Sequence, residues 1–202
     1  MPLFTWASLQ KPRRWCWRNP NAGGDRAAQE IRELAELFEK SGAIEVAVAN
    51  DPAEGDLLLA GRRGVLTAME RLGTTMIDDV CVPRTRLAEL IQRIEALSAH
   101  CGLVIGVVGH AGDGNFHPTV VFDGHDPDQV VRAQHAFDEI MRISLDLGGT
   151  ITGEHGVGLL KRELLERELG QVSLGVHRDL KKALDPHRIL NPGKIFALDP
   201  RQ

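Results

Sequence analysis

The sequence predicts an α+β fold, with helices on one face of a mainly antiparallel sheet. Three observations carry this expectation. Helical and strand-like stretches alternate along most of the 202 residues. Two apolar strands, "LVIGVVG" and "HPTVVFD", flank a polar turn near the centre of the chain. The composition, 43% hydrophobic and 26% charged, is that of an ordinary globular domain with a core to bury.

The first segment differs from everything after it. Trp6, Trp15 and Trp17 all lie there, beside Lys11, Arg13 and Arg14, and no acid precedes Asp25. Residues 1–24 are therefore expected to form a disordered leader, and residues 25–202 the domain. "DRAAQEIRELAELFEKSG" spaces Ile31, Leu34, Ala35, Leu37 and Phe38 as a helix and stops at Gly42. "AIEVAVA" alternates as a strand. "DPAEGDLLLAGRRGVLTAMERLG" starts a helix with Asp-Pro and ends at Gly73. "TTMIDDVCV" reads as one strand, and "PRTRLAELIQRIEALSAHCG" as an amphipathic helix stopped by Gly102.

After the central pair of strands, "DPDQVVRAQHAFDEIMRISLDLGG" is a long helix with Val130, Val131, Phe137, Ile140, Met141 and Leu145 broadly on one side. "TITGEHGVG" is a short strand running into a glycine-rich turn. Two helices follow, from about Leu159 to Glu168 and from about Ser173 to Leu184. The Pro/Gly-rich tail "DPHRILNPGKIFALDP" is expected to pack as an extended strap. This order fits helices layered on an antiparallel sheet.

Several function classes are disfavoured. A net charge of -4 offers no basic surplus for nucleic acid. The longest apolar run, "LVIGVV", is far too short to span a bilayer, and no signal-peptide core is present, so a cytoplasmic protein is expected. Cys16, Cys81 and Cys101 are odd in number and widely spaced, which indicates neither a disulfide framework nor a cysteine zinc site. "GHAGDG" and "GEHGVG" reverse the dinucleotide-binding spacing, and there is no P-loop.

Two polar, glycine-rich turns stand out. In "GHAGDGNFHPTVVFD", His110 closes one strand and His117 opens the next. Asp-Gly and Gly-Asn can turn the chain back, which brings two imidazoles to the mouth of one hairpin. Neutral imidazole is a common zinc ligand. In "GGTITGEHGVG", Glu154 and His155 are neighbours and in extended chain point to opposite sides. Glu154 can then complete a His/His/Glu set with open coordination positions, the pattern of a catalytic metal. The bland alternative is two solvated turns whose histidines make ordinary hydrogen bonds. Asp113 reads as a turn residue, and Arg62 and Arg63 as either a carboxylate clamp or a solvated helix face.

Three stretches in this order, "GHAGDGNFHPTVVFD", "GGTITGEHGVGLLKRELL" and "LDPHRILNPGKIF", resemble the C-terminal domain of FAD-linked oxidases of the glycolate oxidase and D-lactate dehydrogenase type, in the vanillyl-alcohol oxidase superfamily. The resemblance runs from about Asp25 to Phe196 and includes "AGRRGVLTAMERLGTTMIDDVCVPRTRL". It implies a ferredoxin-like antiparallel sheet covered by helices, with additional C-terminal helices. It also implies oxidation of a D-2-hydroxy acid to the 2-oxo acid.

By that resemblance, His110, His117 and Glu154 would bind a divalent metal such as zinc, and His155 would act as general base. Arg62 or Arg63 would pair with the substrate carboxylate, while Asn115 and Asn191 would lie near the cofactor. Relatives specific for 2-hydroxyglutarate carry a lysine where Ile77 stands, which favours a monocarboxylate such as lactate or glycolate.

The family's N-terminal FAD-binding domain has no counterpart in the sequence. The chain is therefore expected to be inactive alone, and to be a truncated copy or a subunit pairing with a separate FAD-binding chain. A surface left uncovered by that absence would favour association, and a homodimer is one way to cover it. Two readings compete with the enzyme part: a non-catalytic remnant or metal-binding module of the same fold, and a flavin-free metal hydrolase.

Overall fold

The structure, a computed structural model, describes residues 5–9, 14–18, 23–49 and 51–197. The chain divides into two compact units, Met1–Ala68 and Met69–Gln202.

The first unit is a three-stranded antiparallel sheet with helices. β1 (Thr5–Leu9) lies between β2 (Arg14–Arg18) and β3 (Ala43–Val48). Two segments expected in a disordered leader are thus strands. β1 pairs with β3 from Thr5↔Val48, and its register with β2 runs from Thr5↔Arg18 to Leu9↔Arg14. The β-branched and apolar alternation of "AIEVAV" supplies a strand with which β1 pairs, and β2 pairs in turn with the other edge of β1. The remainder of residues 1–22 lies outside the described residues. α1 (Gly24–Lys40) buries Ala27 and Ile31, one turn apart on one face. α2 (Pro52–Arg63) begins as the Asp-Pro signal predicts: the Asp51 carboxylate accepts the Glu54 amide at 2.9 Å, with Pro52 in the first turn. α3 (Val65–Glu70) leads into the second unit.

The second unit carries an antiparallel sheet around one central strand. β7 (Asn115–Phe122) pairs along one edge with β6 (Val104–His110). Along its other edge it pairs with β4 (Thr74–Ile77) and β5 (Val80–Cys81). α4 (Leu87–Cys101) and α5 (Pro127–Asp146) cover the sheet. Leu90 and Ile94 of α4 and Phe137, Ile140 and Met141 of α5 pack against Val80, Phe116, Val120 and Phe122. Alternation along β7 puts Phe116, Val120 and Phe122 toward this core and His117 toward the opposite face. The α+β class and the helix-covered antiparallel sheet expected from the sequence are what the structure shows.

The differences are local. "TTMIDDVCV", expected as one strand, is broken into β4 and β5 at Asp78 and Asp79. The register is unbroken, since Ile77 pairs with Thr119 and Val80 with Phe116. Asp78 and Asp79 therefore lie opposite Pro118 and His117. Pro118 has no N–H to donate, so the ladder opens there. "TITGEHGVG" keeps one bridge, Cys81↔Thr150, and is otherwise loop. The two expected C-terminal helices form α6 (Arg162–Leu184), broken at Gly170 with φ 70° and ψ 166°. The tail turns rather than extends: Asp185 accepts the Ile189 and Leu190 amides, and Ile195 donates to the Gly158 carbonyl at 2.8 Å.

Candidate functional site

The β6–β7 hairpin places His110 at the end of one strand, across from Asn115 at the start of the next. The turn is closed by the Gly114 amide, which donates to the His110 carbonyl at 3.0 Å. The Asp113 carboxylate accepts the Asn115 amide at 3.0 Å, which is the turn role expected of Asp113. Two residues into β7, His117 stands with its ring centroid 5.5 Å from that of His110, nearly perpendicular at 85°.

The second half of the site is the loop at residues 150–158. The Cys81–Thr150 bridge anchors its start, and the Ser144 hydroxyl of α5 donates to both bridge carbonyls, at 2.8 and 3.0 Å. Gly149 makes this approach possible, because a Cβ there would meet the Cys81 carbonyl oxygen at 1.9 Å. The Glu168 carboxylate of α6 accepts from the Thr150 hydroxyl at 2.6 Å and the Ile151 amide at 3.0 Å. Held in this way, the loop delivers Glu154 Oε1 to 3.2 Å from His117 Nε2. His155 stacks on His117, with centroids 4.9 Å apart and planes 12° apart.

His110, His117 and Glu154 thus offer three ligand atoms within 4.8 Å of one another. Asp79, His117 and His155 form a second such group. The two groups share His117 and differ in what their carboxylates are doing. Asp79 is fully buried, and its Oδ2 accepts the Thr152 hydroxyl and the amides of Gly153, Glu154 and His155 at 2.7–3.0 Å. Glu154 is 55% exposed and turned to the His110 side. Two imidazoles and one accessible carboxylate are a donor set suited to a divalent cation, so the first group fits a metal better.

Charge reinforces that division. Burial alone would raise the Asp79 carboxyl. The His155 and Glu154 amides, the Thr152 hydroxyl and the Lys161 ammonium outweigh it and hold the group down at about 2. Burial and the neighbouring His155 lower the His117 imidazole below its usual value, against the opposing pull of Asp79 and Glu154. A neutral His117 keeps a lone pair for a ligand. Beneath the loop, Lys161 Nζ lies 2.9 Å from Asp78 Oδ1 and donates to the Asp79 and Ile151 carbonyls at 2.7 and 2.6 Å. Burial pushes the Asp78 carboxyl up in spite of Lys161.

The other residues singled out from the sequence are placed as follows. Asn115 is buried against the loop: a Cβ on Gly153 would lie 2.5 Å from its Oδ1, which has no hydrogen-bond partner among the described residues. Asn191 is exposed in the tail with φ 47°, and its carbonyl accepts the Lys194 amide. Arg62 and Arg63 occupy the last turn of α2 in the first unit, and Arg63 lies 3.9 Å from Asp56. Sequence reasoning missed Asp78, Asp79 and Lys161. The available signal was the acid pair in the middle of an otherwise apolar strand.

Comparison with known proteins decides the family. The profile described as "FAD linked oxidases, C-terminal domain" matches residues 20–195. The chain belongs to that family. This domain is 40% identical over 175 residues to "Glycolate oxidase subunit GlcD" of Bacillus subtilis (strain 168), covering 86% of the chain and 37% of that protein. It is 42% identical over 120 residues to "Probable D-lactate dehydrogenase, mitochondrial" of Danio rerio, covering 59% of the chain and 24% of that protein. The domain thus spans well under half the length of these curated relatives. Its fold is also that of part of a solved 4-ethylphenol oxidase from Gulosibacter chungangensis, with a TM-score of 0.60, 17% identity, and coverage of 88% of this chain and 37% of that one.

Proposed function

We infer that this chain is the substrate- and metal-binding part of an FAD-dependent dehydrogenase that oxidises a D-2-hydroxy acid of the lactate or glycolate class. The observation that carries the reading is the convergence of His110, His117 and Glu154 beside a stacked His155. Family membership and relatives named glycolate oxidase and D-lactate dehydrogenase support the reaction class. Because the chain spans 37% of the Bacillus relative, the reading pairs it with an FAD-binding portion, in the same protein or in a partner chain.

In this reading His110, His117 and Glu154 hold a divalent cation, zinc being one that suits the donors. When bound there, a cation would supply Lewis-acid chemistry toward the substrate's hydroxyl oxygen. His155 Nε2, 4.0 Å from Glu154 Oε1 and 49% exposed, takes the hydroxyl proton as general base. Bound FAD supplies the acceptor for the hydride of the α-carbon. Asn115 and Asn191 are assigned to the cofactor side. Residue 77 is isoleucine, which offers no charge for a second substrate carboxylate.

The test joins the chain to an FAD-binding domain and follows flavin bleaching under anaerobic conditions with D-lactate, glycolate and their L-counterparts where these exist. Bleaching with a D-2-hydroxy acid, lost in His155→Ala, supports the reading. A folded, flavin-loaded, metal-loaded assembly that leaves every 2-hydroxy acid untouched overturns it and leaves a metal-binding module of the same fold.

A further inference from the structure

Outside the ligand set, the buried carboxylate of Asp79 occupies an unusual position. Its Oδ2 takes four donors, the Thr152 hydroxyl and the amides of Gly153, Glu154 and His155. That one oxygen therefore fixes the backbone from which both Glu154 and His155 project. Its Oδ1, although buried, takes none among the described residues. His117 Nδ1 lies 3.7 Å away, likewise buried and, among the described residues, without a hydrogen-bond partner. Two such polar atoms left facing each other are costly unless they pair, and a shift of about 0.8 Å brings them to hydrogen-bond distance. The strand register puts Asp79 directly across from His117, so the pairing needs no change of fold.

We propose that Asp79 is the positioning residue of the site, one carboxylate that sets the loop bearing Glu154 and His155 with one oxygen and the ring of His117 with the other. By accepting from Nδ1–H, Asp79 presents the lone pair of His117 at Nε2, the atom that faces Glu154. This is the carboxylate–histidine arrangement that orients metal-bound imidazoles. The proposal rests on the metal reading for its function but not for its geometry. In this assignment Asp79 acts through His117 and the loop, and is not itself a ligand of the cation. The second unpartnered oxygen nearby, Asp78 Oδ2, is not part of it, since Asp78 is turned to Lys161.

The experiment has two readouts on the full chain. Nitrogen-15 NMR of metal-free Glu154→Ala, which removes the acceptor 3.2 Å from His117 Nε2, reports the tautomer that Asp79 selects, and the proposal expects Nδ1–H to dominate at neutral pH. Titration of zinc into wild type, Asp79→Asn and Asp79→Glu then reports site geometry. Asp79→Asn is expected to bind zinc 10–100-fold more weakly, by the usual effect of losing such an outer partner. It should also speed amide exchange at residues 153–155. Asp79→Glu is expected to recover part of both. An Nε2–H tautomer in Glu154→Ala overturns the proposal even if no Asp79 variant folds. So does a folded Asp79→Asn with wild-type zinc affinity and exchange. Failure of the wild type to bind zinc, cobalt or manganese while the Nδ1–H tautomer and the slow amides are present sinks the metal reading and leaves Asp79 as the organiser of the loop.

Discussion

Asp79 also makes the stability of the domain depend on acid in a way that can be calculated. Its carboxyl sits at about 2 in the folded state against an ordinary value of 3.8. A folded-state value below the unfolded one stabilises the fold above the unfolded value and loses that contribution as pH falls through the folded one. The difference corresponds to about 2.5 kcal/mol at neutral pH and roughly half of that at pH 3. Removing the charge with Asp79→Asn should therefore destabilise the chain by about this amount at pH 7, beyond any loss from imperfect hydrogen bonding. The quantity to measure is the gap between wild type and variant in urea unfolding at pH 7, 5, 4 and 3. The gap should be flat from pH 7 to 5 and shrink below 4. A gap that stays constant down to pH 3 would refute the claim that the loop amides and Lys161 hold this carboxylate ionised.

Other perturbations probe the neighbouring parts. Lys161→Met leaves the Asp78 carboxylate buried without its cation and should cost about 3–5 kcal/mol, read by chemical denaturation at pH 7, with a smaller loss in Lys161→Met/Asp78→Leu. Gly149→Ala places a Cβ 1.9 Å from the Cys81 carbonyl oxygen, so the bridge to Thr150 must open. A loss of about 1–3 kcal/mol or more is expected in thermal melts. Phe137→Ala removes a fully buried ring from the α5 layer and should cost about 3–5 kcal/mol, with zinc binding intact in whatever fraction remains folded.

The fold was legible because its elements obey simple periodicities. Ile31 on the buried face of α1, Phe137 with Ile140 and Met141 in α5, and the Gly102 cap in left-handed conformation are all local signals that the tertiary structure retains. What was not legible depends on long-range partners. The Trp-rich segments 5–9 and 14–18 are strands because β3 offers an edge to the first and the first offers its other edge to the second, and nothing within "TWASL" or "RWCWR" states that. "TTMIDDVCV" looked like one strand because the missing N–H belongs to Pro118, on the opposite strand.

The same distinction holds at the site. His110, His117, Glu154 and His155 are visible as chemistry-bearing residues in glycine-rich turns, and the structure brings them to one place. Asp79 is some 75 residues from the amides it holds, and its role exists only when the loop folds over β5. A carboxylate with four donors on one oxygen has no spacing pattern in sequence. Lys161 reads in sequence as a surface cation at a helix start, yet it is buried against Asp78.

The proposed division of labour is that His110, His117 and Glu154 would bind the cation and His155 would not. Calorimetric titration of zinc into metal-free wild type, Glu154→Ala, His117→Ala and His155→Ala tests it directly. One site per chain in wild type and in His155→Ala, lost in Glu154→Ala and His117→Ala, is the predicted result. A site emptied by His155→Ala and kept by Glu154→Ala would contradict the account and move the cation to the Asp79, His117 and His155 group.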